Sequence, residues 1–154
     1  MSHAQIWVDA DACPVAMREM LCRAASRAAI QTTFVANQPL SLPPSRHVTF
    51  TQVASGYDVA DHFICQRVNE GDLVITGDIP LASDVIDKGA TALNSRGELY
   101  TSENIRAKLN MRDFMETLRF SGTQTGGTAP LSATDRQNFA NQLDRWISRA
   151  RRPS

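Results

Sequence analysis

"DLVITGDIPLASDVIDKGATALN", residues 72–94, decides the fold. Its opening is the most apolar run of the chain, short and rich in β-branched residues, and reads as a central strand over 72–78. Pro80 sits where a first helical turn tolerates a missing N–H, so a short helix starts there and Gly89 ends it. "TALN", 91–94, is strand again. Strands that are apolar throughout, joined by a helix, make a parallel sheet covered on both faces.

The same pattern extends in both directions. Residues 6–10 read as a strand, followed by a helix from Pro14 to Ala29 with Met17, Met20, Leu21, Ala24 and Ala28 at helical spacing. "TTFVAN" (32–37) and "HVTFTQV" (47–53) read as strands on either side of the Pro-rich loop "QPLSLPPS", and 57–69 as a helix that Gly71 stops. After 94, "SRGELYT" reads as a turn. Ser102 is expected to cap a helix to Phe120, with Ile105, Leu109 and Leu118 facing inward. "SGTQTGGTAPL" (121–131) has the composition of a flexible linker. The Ser132-x-x-Asp135 pattern opens a last helix with one apolar stripe, Phe139, Leu143, Trp146, Ile147 and Ala150. The expected fold is α/β, a three-layer α/β/α sandwich with a mostly parallel central sheet over 1–120. A linker follows at 121–131. An amphipathic helix with a basic tail, 132–154, is expected to belong to the same domain.

A chain of 154 residues can bury a full core. Acids and bases balance at 16 each, so net charge points to neither nucleic acid nor membrane. The arginine-rich end, "DRWISRARRPS", reads as a solvated helix end or a phosphate contact. Three cysteines (Cys13, Cys22, Cys65) without a CxxC pair fit reduced thiols rather than a disulfide framework or zinc knuckle. No apolar run approaches the ~18 residues that span a bilayer. A cytoplasmic location is the expectation, with self-association left open.

The acids carry the chemistry. In a parallel sheet, ligands bind at the carboxyl ends of the strands. Asp9 and Asp11 end the first strand and Asp78 ends "LVITGD"; Asp58 and Asp61 open a helix on one face. Asp84 follows on the next helix, where a surface position is the plainer reading, as for Asp87. Carboxylates this close repel, and a divalent cation removes the conflict; Mg²⁺ and Mn²⁺ prefer such oxygen ligands. The competing reading is capping, since Asp11, Asp58 and Asp78 all precede helix starts. Asp9 resists that reading, because a cap needs no second acid two residues earlier. Cys13 sits at a helix start, where the dipole is expected to lower its pKa, although simple packing explains it as well. His62 reads as a packed or surface residue, and His3 and His47 carry no hypothesis. Arg96, after a strand end, and Arg18 are candidates for holding a phosphate, with Lys88 a weaker one. "TGGT" lacks the lysine of a phosphate-binding loop.

"VDADACPV", "SGYDVADHFI", "DLVITGDIPLASDVIDKGATALNSRGELYTSENI" and "DRQNFANQLDR" resemble the YaiI/YqxD family of uncharacterised bacterial proteins over nearly the whole chain. That family is placed among PIN-like folds, related to NYN-type nucleases. The resemblance implies Asp9, Asp58, Asp61 and Asp78 as metal ligands, with Asp11 as a further ligand or a cap and Thr76 in the "TGD" turn. PIN enzymes often carry a glutamate on an early helix. Here only Glu19 is available, two turns in.

Three functions follow as expectations. The first is a Mg²⁺- or Mn²⁺-dependent phosphodiesterase acting on RNA, with catalytic Asp9, Asp11, Asp58, Asp61 and Asp78 and substrate contacts from Thr76, Arg96 and Arg18. Water attacks the phosphorus and no covalent enzyme intermediate forms. The second is a non-catalytic PIN-like module that binds RNA or a protein, which the absence of net positive charge favours. The third is a haloacid-dehalogenase-type phosphatase, which "VDADA" imitates; Ala12 and the long spacing from Asp78 to Asp84 depart from that pattern.

Overall fold

The computed structural model describes residues 4–56, 59–120 and 131–150, with nothing said of the side chains of Ala12 and 112–120. Residues 121–130 of the expected linker (121–131) and the candidate ligand Asp58 lie outside the described residues.

Six strands form one sheet in the order β3-β2-β1-β4-β5-β6. They are β1 (Ile6–Asp9), β2 (Thr32–Ala36), β3 (Val48–Gln52), β4 (Leu73–Ile75), β5 (Thr91–Leu93) and β6 (Leu99–Tyr100). All neighbours pair in parallel except β6, which runs antiparallel to β5. Among the described residues there are five α-helices: α1 (Val15–Ala28), α2 (Val59–Arg67) and α3 (Ile79–Asp87) connect strands, and α4 (Ser102–Phe120) and α5 (Ala133–Ala150) follow β6.

Period-two alternation divides each central strand between two cores. Ile6, Val8, Phe34, Leu73, Ile75 and Leu93 face one layer, where Met17 and Leu21 of α1 meet Phe139, Leu143, Trp146 and Ile147 of α5. Trp7, Val35, Val74 and Ala92 face the other, against Ile64 of α2, Leu81 and Val85 of α3 and Ile105 of α4. The molecule is thus an α/β/α sandwich. The stripe predicted for α5 covers its own sheet, except that Ala150 is exposed.

Three local expectations are corrected. "SRGELYT" is not only a turn, because Leu99 and Tyr100 add the antiparallel strand β6. The side-chain cap at α4 comes from Thr101 rather than Ser102: Asn104 N–H donates to Thr101 Oγ1 (3.0 Å) and Thr101 N–H to Asn104 Oδ1 (2.8 Å). The central strand β4 has three residues, with Asp72 and Thr76 flanking it.

The chain leaves β1 through α1 to β2 on one side, and returns after β3 through α2 to β4 on the other. The sheet therefore reverses its winding between β1 and β4. In an open parallel sheet this is where a crevice opens beyond the carboxyl ends of the strands.

Candidate active site

Asp9 ends β1 and Thr76 follows β4, so the β1–β4 pairing sets them side by side at that reversal. Thr76 Oγ1, on a residue only 2% exposed, donates to Asp9 Oδ2 at 3.1 Å. The same oxygen accepts the Asp78 N–H at 2.9 Å. Asp78 caps α3 through Oδ1, which accepts from Leu81 N–H at 2.8 Å. Thr76 thereby locks both acids with one buried hydroxyl. Gly77 between them leaves open space, since a Cβ built there meets no atom within 4 Å.

Burial pushes the Asp9 carboxyl above its ordinary range; the Thr76 hydrogen bond opposes this, while the charges of Asp78 and Asp11 add to it. Asp9 Oδ1 accepts no hydrogen bond among the described residues. Asp11 sits exposed in a single 3-10 turn, Ala10–Ala12, where its carboxylate accepts the Asn37 N–H that follows β2 (2.9 and 3.2 Å). Asp61 lies half-buried in the first turn of α2, at the same edge of the sheet.

Asp9, Asp11, Asp61 and Asp78 therefore share the carboxyl edge, as expected from their positions. They do not close into one tight shell: among the described residues, no group of three or more His, Cys, Asp or Glu could hold a metal ion. The physical reason is visible in the hydrogen bonds, because Asp11 is turned to Asn37 and one oxygen of Asp78 is used by its helix cap. The donor chemistry still suits a hard, oxygen-preferring cation, since the partly buried, charge-crowded Asp9 keeps an uncommitted oxygen.

The other candidates divide. Arg96 does reach the carboxyl edge, but its Nη1 lies 2.7 Å from Asp135 Oδ2 at the start of α5. Asp135 also closes a reciprocal cap with Ser132 at 3.0 Å each way. Arg18 is half-buried on α1, with its Nε shielded from solvent and unpartnered. Lys88 donates to the Cys65 carbonyl, at the end of α3 away from Asp78. Asp84 is exposed on α3, six residues and ~9 Å of helix rise beyond Asp78. His62 is exposed on α2. Cys13 overturns the dipole expectation: burial pushes its thiol up to about 12, and Sγ faces the Pro14 carbonyl at 3.8 Å.

Two groups escaped the sequence reading. Asn37 anchors Asp11 through its main chain, which no side-chain pattern announces. Asp72, only 2% exposed, is the most buried acid described. It accepts hydrogen bonds from Gln5 N–H (2.9 Å), Trp7 Nε1–H (3.0 Å) and Asn69 N–H (2.9 Å). An acid opening the most apolar strand was its signal, and its role is to pin the amino edge of the sheet.

These features define an α/β protein with a doubly covered parallel sheet and an aspartate–threonine–aspartate junction at its winding reversal. The chain belongs to the YaiI/YqxD family: the family described as "Uncharacterized BCR, YaiI/YqxD family" matches residues 7–149. It is 65% identical over 145 residues to a UPF0178 protein of Shewanella amazonensis, covering 94% of this chain and 97% of that one. A UPF0178 protein of Aeromonas hydrophila is 62% identical over 146 residues, covering 95% and 97%. One of Yersinia pestis is 61% identical over 147 residues, covering 96% and 97%. No solved structure matches the chain. Among the described residues, no helix is long and apolar enough to cross a membrane.

Proposed function

We propose that the protein is a divalent-metal-dependent phosphodiesterase, a PIN-like nuclease acting on RNA. The observation that carries this reading is the Asp9–Thr76–Asp78 junction at the β1–β4 reversal, where a desolvated carboxylate is kept beside two further acids. Asp9, Asp58, Asp61 and Asp78 would hold Mg²⁺ or Mn²⁺, with Asp11 a further ligand or held back by Asn37. When bound, the cation would supply charge neutralisation and would activate a water for attack on phosphorus. Thr76 fixes Asp9 Oδ2 and leaves Oδ1 without a hydrogen bond among the described residues, and the α3 cap fixes Asp78 in turn. Gly77 leaves room for the substrate backbone to approach.

The test is cleavage of single-stranded RNA by the pure chain with Mn²⁺ or Mg²⁺, against Asp9→Asn. Loss of cleavage in the variant and in chelator is the expected result; equal cleavage by both proteins removes the proposal. The engaged oxygens of Asp11 and Asp78 favour a second reading, a non-catalytic RNA- or protein-binding module. RNA binding that survives chelation, without turnover, selects it.

A further inference from the structure

On its outer side, α1 faces the Pro-rich loop between β2 and β3. A cleft of 420 Å³ lies between them, with Val15, Arg18 and Cys22 on one wall and Leu42, Pro43 and Pro44 on the other. It continues past Cys22 and Pro43 into a wider groove that Arg23 and Arg27 border. Both walls begin at the aspartate edge. α1 starts four residues after Asp11, and the loop starts at Asn37, whose N–H holds the Asp11 carboxylate. The Val15 end of the groove therefore lies toward the candidate site.

We infer that this groove carries a single-stranded RNA segment away from the aspartate edge, its phosphates on Arg18 and Arg23 and its bases against the Leu42–Pro44 wall. This rests on the reading of the site as acting on RNA. The chemistry of the two walls supports it. Arg18 Nε is buried without a hydrogen-bond partner. Neither Arg18 nor Arg23 is ion-paired among the described residues, unlike Arg27, which pairs with Asp144. The terminal Nη groups of an unpaired guanidinium are matched by the oxygens of a phosphodiester. Opposite the arginines stand Leu42 and two prolines, with Val15 57% exposed at the mouth. Such apolar side chains give bases a surface to leave water on beside the phosphate track. Glu19, the one carboxylate among the described residues lining the groove, would accept from ribose hydroxyls and base amino groups. Near-zero net charge does not oppose this, because the positive charge is local.

The test is fluorescence anisotropy of a labelled oligouridine with the full chain in chelator, so that nothing is cleaved. Arg18→Gln and Arg23→Ala are each expected to weaken binding about 5- to 10-fold and to flatten the log–log salt dependence by ~0.7. Arg136→Ala on α5 leaves both unchanged. Arg23 is exposed, so its variant keeps the test clear of misfolding, and an unchanged circular-dichroism melt verifies this. Wild-type affinity and salt slope in both variants overturn the inference. So does absent oligonucleotide binding, or an acidic phosphopeptide that binds more tightly and displaces the RNA. Arginine-dependent binding without metal-dependent cleavage keeps the groove and removes the hydrolase. Cleavage whose KM ignores both arginines keeps the hydrolase and removes the groove.

Discussion

Replacing Thr76 by valine keeps the shape of the side chain and deletes the hydroxyl that joins the two strand ends. Two hydrogen bonds go with it: one donated to the Asp9 carboxylate and one accepted from the Asp78 N–H. A hydrogen bond to a charged group is worth about 1.5–3 kcal/mol and a neutral one about 1 kcal/mol. Asp9 and Asp78 are only partly buried, so water recovers some of this, and the expected loss is about 2–3 kcal/mol. Thr76→Ser keeps both bonds and loses one buried methyl, about 1 kcal/mol. Urea denaturation followed by circular dichroism reads the difference. With a slope of about 2 kcal/mol/M, the valine variant shifts the midpoint down by roughly 1–1.5 M and the serine variant by roughly 0.5 M, both with unchanged slope. Equal midpoints for the two variants, or a valine midpoint within 0.2 M of wild type by the same estimate, refute the junction.

Three further outcomes are expected. Asp9 titrates above its ordinary 3.8 in the folded chain, so the stability it contributes is fully present below pH 3.8 and is lost as pH rises through its folded pKa. Asp9→Asn therefore melts higher than wild type at pH 7 without metal, and that gain disappears below pH 3.8; Mn²⁺ raises the wild-type melting point and not the variant's, as differential scanning fluorimetry checks. Asp72→Ala strands three N–H donors, one of them the Trp7 indole, and lowers stability by about 3–5 kcal/mol in urea unfolding, whereas a surface carboxylate such as Asp84 changes it by less than ~0.5 kcal/mol. Gly97→Ala forces a Cβ within 2.5 Å of the Asn138–Phe139 backbone at φ +85°, costing about 3 kcal/mol and roughly 10 °C of melting temperature.

The layered fold was legible because the strands of the central sheet are buried on both faces, which leaves uninterrupted apolar runs such as Ile6–Val8 and Leu73–Ile75. β6 was not, since two residues in a polar turn gain strand geometry only from the loop before them. There Asn94 Oδ1 accepts from the N–H groups of both Arg96 and Glu98. The cap of α4 was ambiguous because Thr101 and Ser102 offer the same hydroxyl, and only the reply from Asn104 selects the first. At the site, the positions of Asp9 at the end of β1 and of Asp78 just before α3 could be read directly. Their link could not, because Thr76 and Asp9 are 67 residues apart and meet only once β1 and β4 pair. The place of Arg96 at a strand end fits a phosphate contact or a turn-surface arginine equally, and its local sequence contains nothing of Asp135, 39 residues on. For Cys13, sequence supplied the helix start but not the burial that outweighs it.

The packing of α5 has a consequence for biosynthesis. Phe139, Leu143, Trp146 and Ile147 close the layer over α1 and the Ile6–Val8 face of β1. Every element they cover is made before them, so a ribosome extrudes a nascent chain whose first strand and helix stay uncovered until residue 147 has cleared the exit tunnel. Until then the apolar side of α1 is a surface of the kind that holding chaperones recognise.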